Sequence, residues 1–97
     1  MNHVFLPEAR AEFEEAAAYY FDSHPKLELR FIDAVENAIQ QACDSPEQFR
    51  LFDGKTRRVL VHVFPYAVVY VVEHDLLHIL AVMHCARKPG YWKQRTL

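Results

Sequence analysis

The chain is poor in glycine and cysteine, and each shortage excludes a class of site. Its 97 residues include two glycines, Gly54 and Gly90, which argues against a glycine-rich loop for binding phosphate. The two cysteines, Cys43 and Cys85, stand far apart and lack the paired spacing of a zinc site or a disulfide framework. The GxSxG and HExxH motifs do not occur. We therefore predict no metal and no cofactor, and we expect Cys85 to be a small core residue.

The chain also lacks long apolar stretches. The longest uncharged run, residues 59–72, contains His62 and Pro65 and is too short to span a membrane. No basic segment followed by an apolar one opens the sequence, as it would in a secretory signal. A composition of 52% hydrophobic and 25% charged residues is typical of a folded domain. We therefore expect a single domain over residues 1–97, reduced and cytoplasmic, with no membrane partner.

The charge is divided unequally between the two halves of the chain. Residues 1–53 carry eleven acidic and four basic side chains, whereas residues 54–97 carry two acidic and seven basic ones. The two halves thus have charges of −7 and +5, and the net charge is −2. Such asymmetry suggests a face that meets an anionic partner, but two halves that neutralise each other would give the same pattern.

The hydropathy pattern predicts two helices, after a short edge strand at residues 4–6. The first helix should begin at Pro7 and end before Pro25, because proline suits the first helical turn and disfavours helical geometry in the residue before it. Ser23 is the predicted cap of the second helix. The apolar positions that recur at helical spacing are Ala9, Phe13, Ala16, Ala17 and Tyr20, and then Leu27, Phe31, Val35, Ala38, Ile39 and Ala42. The acidic side chains expected to face solvent on the first helix are Glu12, Glu14 and Glu15.

Beyond Lys55 the hydrophobic period changes from about 3.6 residues to about 2, which predicts strands. Val59, Val61 and Val63 should share one face of a strand, and Pro65 should mark a tight connection to the next. The runs YAVVYVV and LLHILAVM are apolar enough to be central strands, with a turn at EHD between them. The predicted fold class is α+β, with an N-terminal helical hairpin packed on an antiparallel sheet of three to four strands.

The last predicted strand leads into a cationic and aromatic segment, HCARKPGYWKQR at residues 84–95, which we call the C-terminal arm. The arm contains no acidic residue. Arginines interleaved with Tyr91 and Trp92 suit two tasks: they can contact phosphates and stack on bases, or they can form the centre of a protein interface. For Trp92 taken alone, the simpler expectation is that it folds back and covers the open end of the sheet.

Several segments of the chain resemble the RelE/ParE superfamily of toxins from bacterial type II toxin–antitoxin systems. The resemblance covers nearly the whole chain, through AEFEEAAAYY, LELRFIDAVENAI, SPEQF, RRVLVHVFPYAVVYVV and ILAVMHCARKPGYW. Its most specific parts are FPYAVVY and the H..R.PGYW ending. The resemblance implies a helical hairpin on an antiparallel sheet, in agreement with the hydropathy pattern. RelE-like members cleave messenger RNA with a cluster of cationic and Tyr or His side chains, whereas ParE-like members lack that cluster and poison DNA gyrase.

The resemblance favours the ParE-like branch. Leu60 and Ala67 stand where RelE-like members carry a lysine and an arginine, and their loss removes charge that phosphoryl transfer requires. The implied protein is a toxin that inhibits DNA gyrase by binding it, without chemistry of its own, in the manner of plasmid stabilization systems. The residues expected to bind the target are Arg57, Arg58, Arg87, Tyr91, Trp92 and Arg95.

The alternative is an endoribonuclease that cleaves messenger RNA, since an imidazole can act as an acid or a base near neutral pH. The residues that would then be catalytic are Arg58, Arg87, His84 and Tyr91, with His62 as a second imidazole. A third possibility is a degenerate relative that binds its antitoxin and represses the operon without inhibiting growth.

The resemblance also implies the partners. A cognate antitoxin would neutralise the toxin through a disordered tail that folds on binding, and the two proteins would form a hetero-oligomer. Operator DNA would be reached only through the antitoxin.

Overall fold

Two helices and five strands occur in the part of the chain that the computed structural model describes, residues 1–95 and 97. In chain order they are β1 (His3–Phe5), α1 (Pro7–Ser23), α2 (Pro25–Asp44), β2 (Leu51–Asp53), β3 (Thr56–Leu60), β4 (Tyr66–Glu73) and β5 (Leu76–His84). The strands form one sheet in the order β1-β5-β4-β3-β2. The predicted α+β class, with a helical hairpin on a sheet, is confirmed. Neither of these helices has both the length and the hydropathy of a membrane span.

The sheet has one more strand than the upper limit of the prediction, and it is mixed. β2, β3, β4 and β5 are antiparallel neighbours, whereas β1 pairs in parallel with β5. Parallel pairing is possible there because the two helices carry the chain across the sheet after β1. β2 spans three residues, which is too few to show an alternating pattern in the sequence. It joins β3 through a turn at Gly54, whose φ of +57° lies in the left-handed region that glycine adopts readily.

The helical hairpin is confirmed, with one change at the connection between the helices. α1 begins at Pro7 and ends before Pro25, as predicted. The cap of α2 is His24, whose Nδ1 accepts a hydrogen bond of 3.1 Å from the Lys26 backbone N–H. Ser23 is the last residue of α1, because the extended backbone of His24 alone separates the helices. The prediction of Ser23 as the cap is therefore wrong by one residue.

The predicted strand that begins near Lys55 is shorter than its alternating pattern suggests. β3 ends at Leu60, and the Val61 N–H then donates to the Tyr66 carbonyl at 2.9 Å. Val63 is 73% exposed and has a φ of +75°, so it does not share a buried face with the preceding valines. The chain must reverse before β4, and Pro65 has no N–H with which to continue the pairing, so the turn takes up residues that alternate in hydropathy.

The core lies between the helical hairpin and one face of the sheet, and aromatic rings fill much of it. Phe31 of α2 is fully buried, with its ring centroid 5.0 Å from that of Tyr20 and 5.1 Å from that of Tyr66. Tyr70 of β4 is also fully buried, and its hydroxyl donates to the Pro46 carbonyl at 2.6 Å. Burial raises the pKa of Tyr70 to about 12. The helices thus cover one face of the sheet and leave the other to a different part of the chain.

Candidate binding surface at the C-terminal arm

The C-terminal arm folds back on the sheet through two short turns. The Arg87 N–H donates to the His84 carbonyl at 3.0 Å, and the Lys93 N–H donates to that of Gly90 at 3.1 Å. Gly90 has a φ of +96°, a conformation that a residue with a Cβ adopts only with strain. Cys85 lies in the first of these turns and is exposed, so the expectation that it packs in the core is wrong.

Trp92 is the side chain that attaches the arm to the sheet. It is 2% exposed, and its ring stacks on Phe52 of β2 with centroids 5.4 Å apart. The guanidinium of Arg58 lies 4.2 Å from the centroid of the same Phe52 ring. On the arm, Tyr91 meets Trp92 edge-on, and the Arg87 guanidinium lies 3.5 Å from the Tyr91 ring centroid. These three rings and two guanidinium groups contact one another in sequence, and we call them the aromatic column. Trp92 lies in its buried part and leaves almost none of its ring exposed for binding.

A carboxylate from α1 binds the end of the arm. Glu12 accepts two hydrogen bonds from the Arg95 guanidinium, each of 3.0 Å, and a third of 3.3 Å from Arg87. It also accepts a hydrogen bond of 3.1 Å from the Val82 backbone N–H. Arg95 in turn donates to the Leu80 carbonyl at 2.7 Å. We call this set of five residues the Glu12 cluster.

The expectation that Glu12 faces solvent is wrong, since its side chain is 14% exposed. Its partners lie 70 to 83 residues further along the chain, so helical spacing gave no signal of them. The hydrogen bonds that Arg95 donates to the Glu12 carboxylate raise the pKa of its guanidinium, because they favour the charged form.

Most of the cationic side chains of residues 54–97 have partners within the chain. In the described residues, the pairs with acidic groups are Lys55 with Glu73, Lys93 with Asp53 at 3.2 Å, and Arg87 and Arg95 with Glu12. Glu12 and Asp53 belong to the acidic half of the sequence, so the two halves partly neutralise each other. Arg87 is nevertheless 54% exposed, and an exposed ion pair of this kind contributes little to stability. Its guanidinium therefore remains accessible to a partner.

The predicted target-binding residues fall into two groups. Arg58, Arg87, Tyr91, Trp92 and Arg95 meet in the aromatic column and the Glu12 cluster. Arg57 is not among them, because adjacent residues of a strand point to opposite faces of the sheet. Its Nη1 donates instead to the Phe49 carbonyl at 2.6 Å, on the loop that follows α2.

The side chains of the ribonuclease alternative do not share one cleft. His84 and Arg87 both line an open groove of about 250 Å³ between α1 and the sheet, but Arg58 is not part of its lining. The His84 Nδ1 accepts a hydrogen bond of 3.0 Å from the Ala86 N–H, which leaves Nε2 to carry the proton. The Tyr91 hydroxyl is buried and finds no hydrogen-bond partner among the described residues. Burial and the nearby Glu12 carboxylate raise the pKa of Tyr91, so this phenol remains protonated at neutral pH.

In the described residues, no group of three His, Cys, Asp or Glu side chains is placed so that it could hold a metal ion. His62, the second imidazole of the ribonuclease alternative, lines a different groove beside α2, together with Leu60 and Val63.

Comparison with known proteins identifies the family. The model of the family described as "ParE toxin of type II toxin-antitoxin system, parDE" matches residues 4–89. The chain belongs to the ParE toxin family. Among solved structures it is similar to a chain of the chromosomal ParDE toxin–antitoxin system from P. aeruginosa, with a TM-score of 0.76 and 14% sequence identity. That similarity covers 87% of this chain and 95% of the other, and it shows a shared fold. No curated protein matches the sequence.

Membership of the ParE family confirms the resemblance seen in the sequence, and it assigns the chain to a type II toxin–antitoxin system. An antitoxin is therefore the partner that the family implies. The matched residues include Glu12, Arg58 and Arg87 but end before Tyr91. Trp92, in the second turn of the arm, and Arg95, which follows that turn, lie beyond the family match.

Proposed function

We propose that this ParE-family chain is a toxin that inhibits DNA gyrase by binding it, and that its C-terminal arm is the surface that binds. The match of residues 4–89 to the ParE family carries the proposal. The geometry supports binding rather than chemistry, because Arg58, Arg87, His84 and Tyr91 do not converge on one cleft. A phosphoryl-transfer site needs its charged groups aimed at one reacting phosphate.

Within the arm, exposure separates the contact residues from those that support them. Arg87 is 54% exposed, and its guanidinium carbon lies over the Tyr91 ring, 3.5 Å from the ring centroid. Exposed arginines and aromatic rings are the side chains that most often dominate protein interfaces. Trp92 and Arg95 support the contact residues and do not contact the partner themselves, since both are largely buried. Arg57, on the other face of the sheet, would meet a different part of the partner.

We further propose that a cognate antitoxin neutralises the toxin, with a disordered tail that folds on the toxin surface to form a hetero-oligomer. Operator DNA is bound through the antitoxin, and the pair acts in the cytoplasm. The proposal takes the whole of residues 1–97 as one toxin domain.

Expression of the toxin without its antitoxin tests this function. We expect growth to stop, the DNA-damage response to be induced, and plasmid supercoiling to fall, while transcripts remain intact. The Arg87→Ala variant should relieve the effect, and Arg30→Ala, which removes an exposed arginine from α2, should not. Cleaved transcripts with normal supercoiling would favour the ribonuclease, for which the shared groove of His84 and Arg87 is the supporting observation. Normal growth would indicate the degenerate relative.

A further inference from the structure

Glu12 differs from its neighbours on α1 in what it contacts. Glu14 and Glu15 are exposed, whereas the Glu12 carboxylate binds a backbone N–H and two guanidinium groups from the far end of the chain. Arg95, its main partner, is only 13% exposed, so the bidentate pair is shielded from water on both sides. Pairs of this geometry are the strongest of the charge-assisted hydrogen bonds.

The Glu12 cluster also provides hydrogen-bond partners for backbone groups at the edge of β5 that β1 does not cover. β1 pairs with β5 at residues 77–79, and no other described residues form a strand beside the later part of β5 on that side. There the Glu12 carboxylate accepts from the Val82 N–H, and Arg95 donates to the Leu80 carbonyl at 2.7 Å. These two side chains supply the acceptor and the donor that a further strand would supply. Backbone groups at a partly buried edge need hydrogen-bond partners. The Leu80 carbonyl therefore keeps its partner, Arg95, only while the arm is closed on the sheet.

We propose that Glu12 is a positioning residue that holds the C-terminal arm closed on the sheet, and that the closed arm is the form that binds gyrase. Glu12 itself makes no contact with the target. It acts through Arg95, which keeps the arm in place, and through Arg87, whose guanidinium it steadies on the exposed side. The second part of this inference rests on the proposed function, whereas the first part does not.

The closed arm is the better candidate for the binding form because it is preorganised. In that form the Arg87 guanidinium is held between the Tyr91 ring at 3.5 Å and the Glu12 carboxylate at 3.3 Å, so binding need not order it. If only the closed arm binds, the apparent dissociation constant equals the intrinsic one divided by the closed fraction. Removing the Glu12 charge leaves Arg95 unpaired in a shielded site, and we expect the open population to rise about 10-fold to 100-fold.

The single tryptophan of the chain makes arm opening measurable without gyrase. Trp92 is 2% exposed when the arm is closed, so its fluorescence should be blue-shifted and poorly quenched by acrylamide. In the purified Glu12→Gln protein we expect a red-shifted emission and a clearly larger quenching constant, while far-UV circular dichroism shows unchanged helix content. Glu14→Gln, an equal loss of charge on the exposed face of α1, is the matched control and should behave as the wild type.

The Arg95→Lys variant tests the same ion pair from its other side, in case Glu12→Gln does not fold. It keeps the charge but loses the forked donor, so its quenching should lie between those of the wild type and Glu12→Gln. Unchanged quenching in both variants would overturn the positioning role of Glu12.

Inhibition of purified gyrase by the same proteins tests the second part. We expect Glu12→Gln to need more protein than the wild type for the same loss of supercoiling, by the factor by which its closed fraction falls, with Arg95→Lys between them. Open-arm variants that inhibit as well as the wild type would overturn closed-arm recognition. If the wild type does not inhibit gyrase, the proposed function and closed-arm recognition both fail, and the quenching result still decides the role of Glu12 in closing the arm.

Discussion

Replacement of Trp92 by alanine should cost the protein a large part of its stability. The side chain is almost completely buried, stacks on Phe52 at 5.4 Å and meets Tyr91 edge-on at the same separation. Truncation of a buried tryptophan usually lowers the free energy of unfolding by about 3–5 kcal/mol, including the cost of the cavity. A domain of this size has a total stability of about 5–15 kcal/mol, so we expect Trp92→Ala to remove about a fifth of it or more.

The assay is urea denaturation followed by far-UV circular dichroism, because the variant has no tryptophan to report by fluorescence. Trp92→Phe keeps a ring against Phe52 and should lose about 1–2 kcal/mol, in line with a smaller change in buried volume. Tyr19→Ala is the control, since this aromatic is 64% exposed and should change stability by less than about 0.5 kcal/mol. A Trp92→Ala protein with wild-type stability and no inhibitory activity would contradict a supporting role for Trp92, because this side chain would then be a contact residue on an undocked arm.

Two other changes test separate features of the fold. The pKa of Tyr70 is raised to about 12 and that of Tyr91 is raised as well, so above about pH 10 the unfolded chain releases protons that the folded chain keeps. Below pH 10 these tyrosines should not make the free energy of unfolding depend on pH. Above pH 10 it should fall by about 1.4 kcal/mol per pH unit for each of them, and urea denaturation between neutral pH and about pH 11 measures this. A stability that stays constant through this range would contradict the burial of the two phenols. Val63→Gly should raise the melting temperature, because it removes the backbone strain of a valine in the left-handed region. The exposed Val63 side chain contributes little packing, so the free energy of unfolding should rise by about 1 kcal/mol. A lower melting temperature would show that Val63 is not strained.

The parts of the fold that the sequence predicts well are those fixed by local chemistry. Pro7 and Pro25 set the starts of the two helices, and the spacing of apolar residues such as Phe31 and Val35 identifies the face that packs on the sheet. The turn between β4 and β5 also follows from local sequence. His74 and Asp75 adopt φ values of +55° and +58°, as a two-residue hairpin turn requires.

The parts that sequence reasoning missed depend on contacts between distant residues. The alternation of valines continues into Val63, but the chain reverses after Leu60, and hydropathy does not mark where a strand stops pairing. β2 becomes a strand only because β3 lies beside it. Short strands of this kind have no periodicity of their own.

The candidate site divides in the same way. Its cationic and aromatic composition is visible in the arm, and the family resemblance follows from motifs that the chain carries in order. The role of Glu12 is not visible, because a glutamate between exposed acidic neighbours reads as part of a solvated helix face. Phe52, which receives both Trp92 and Arg58, is likewise known as a partner only once β2 has been placed next to the arm.

The most direct test of gyrase inhibition by this protein is a supercoiling assay with purified DNA gyrase. The assay uses increasing amounts of the purified toxin and contains no cellular RNA or ribosomes. We expect the wild-type protein to inhibit supercoiling, Arg87→Ala to require at least about 10-fold more protein, and RNA added to the same samples to stay intact. Full gyrase activity at every toxin concentration, with cleavage of the added RNA, would contradict gyrase inhibition by this protein.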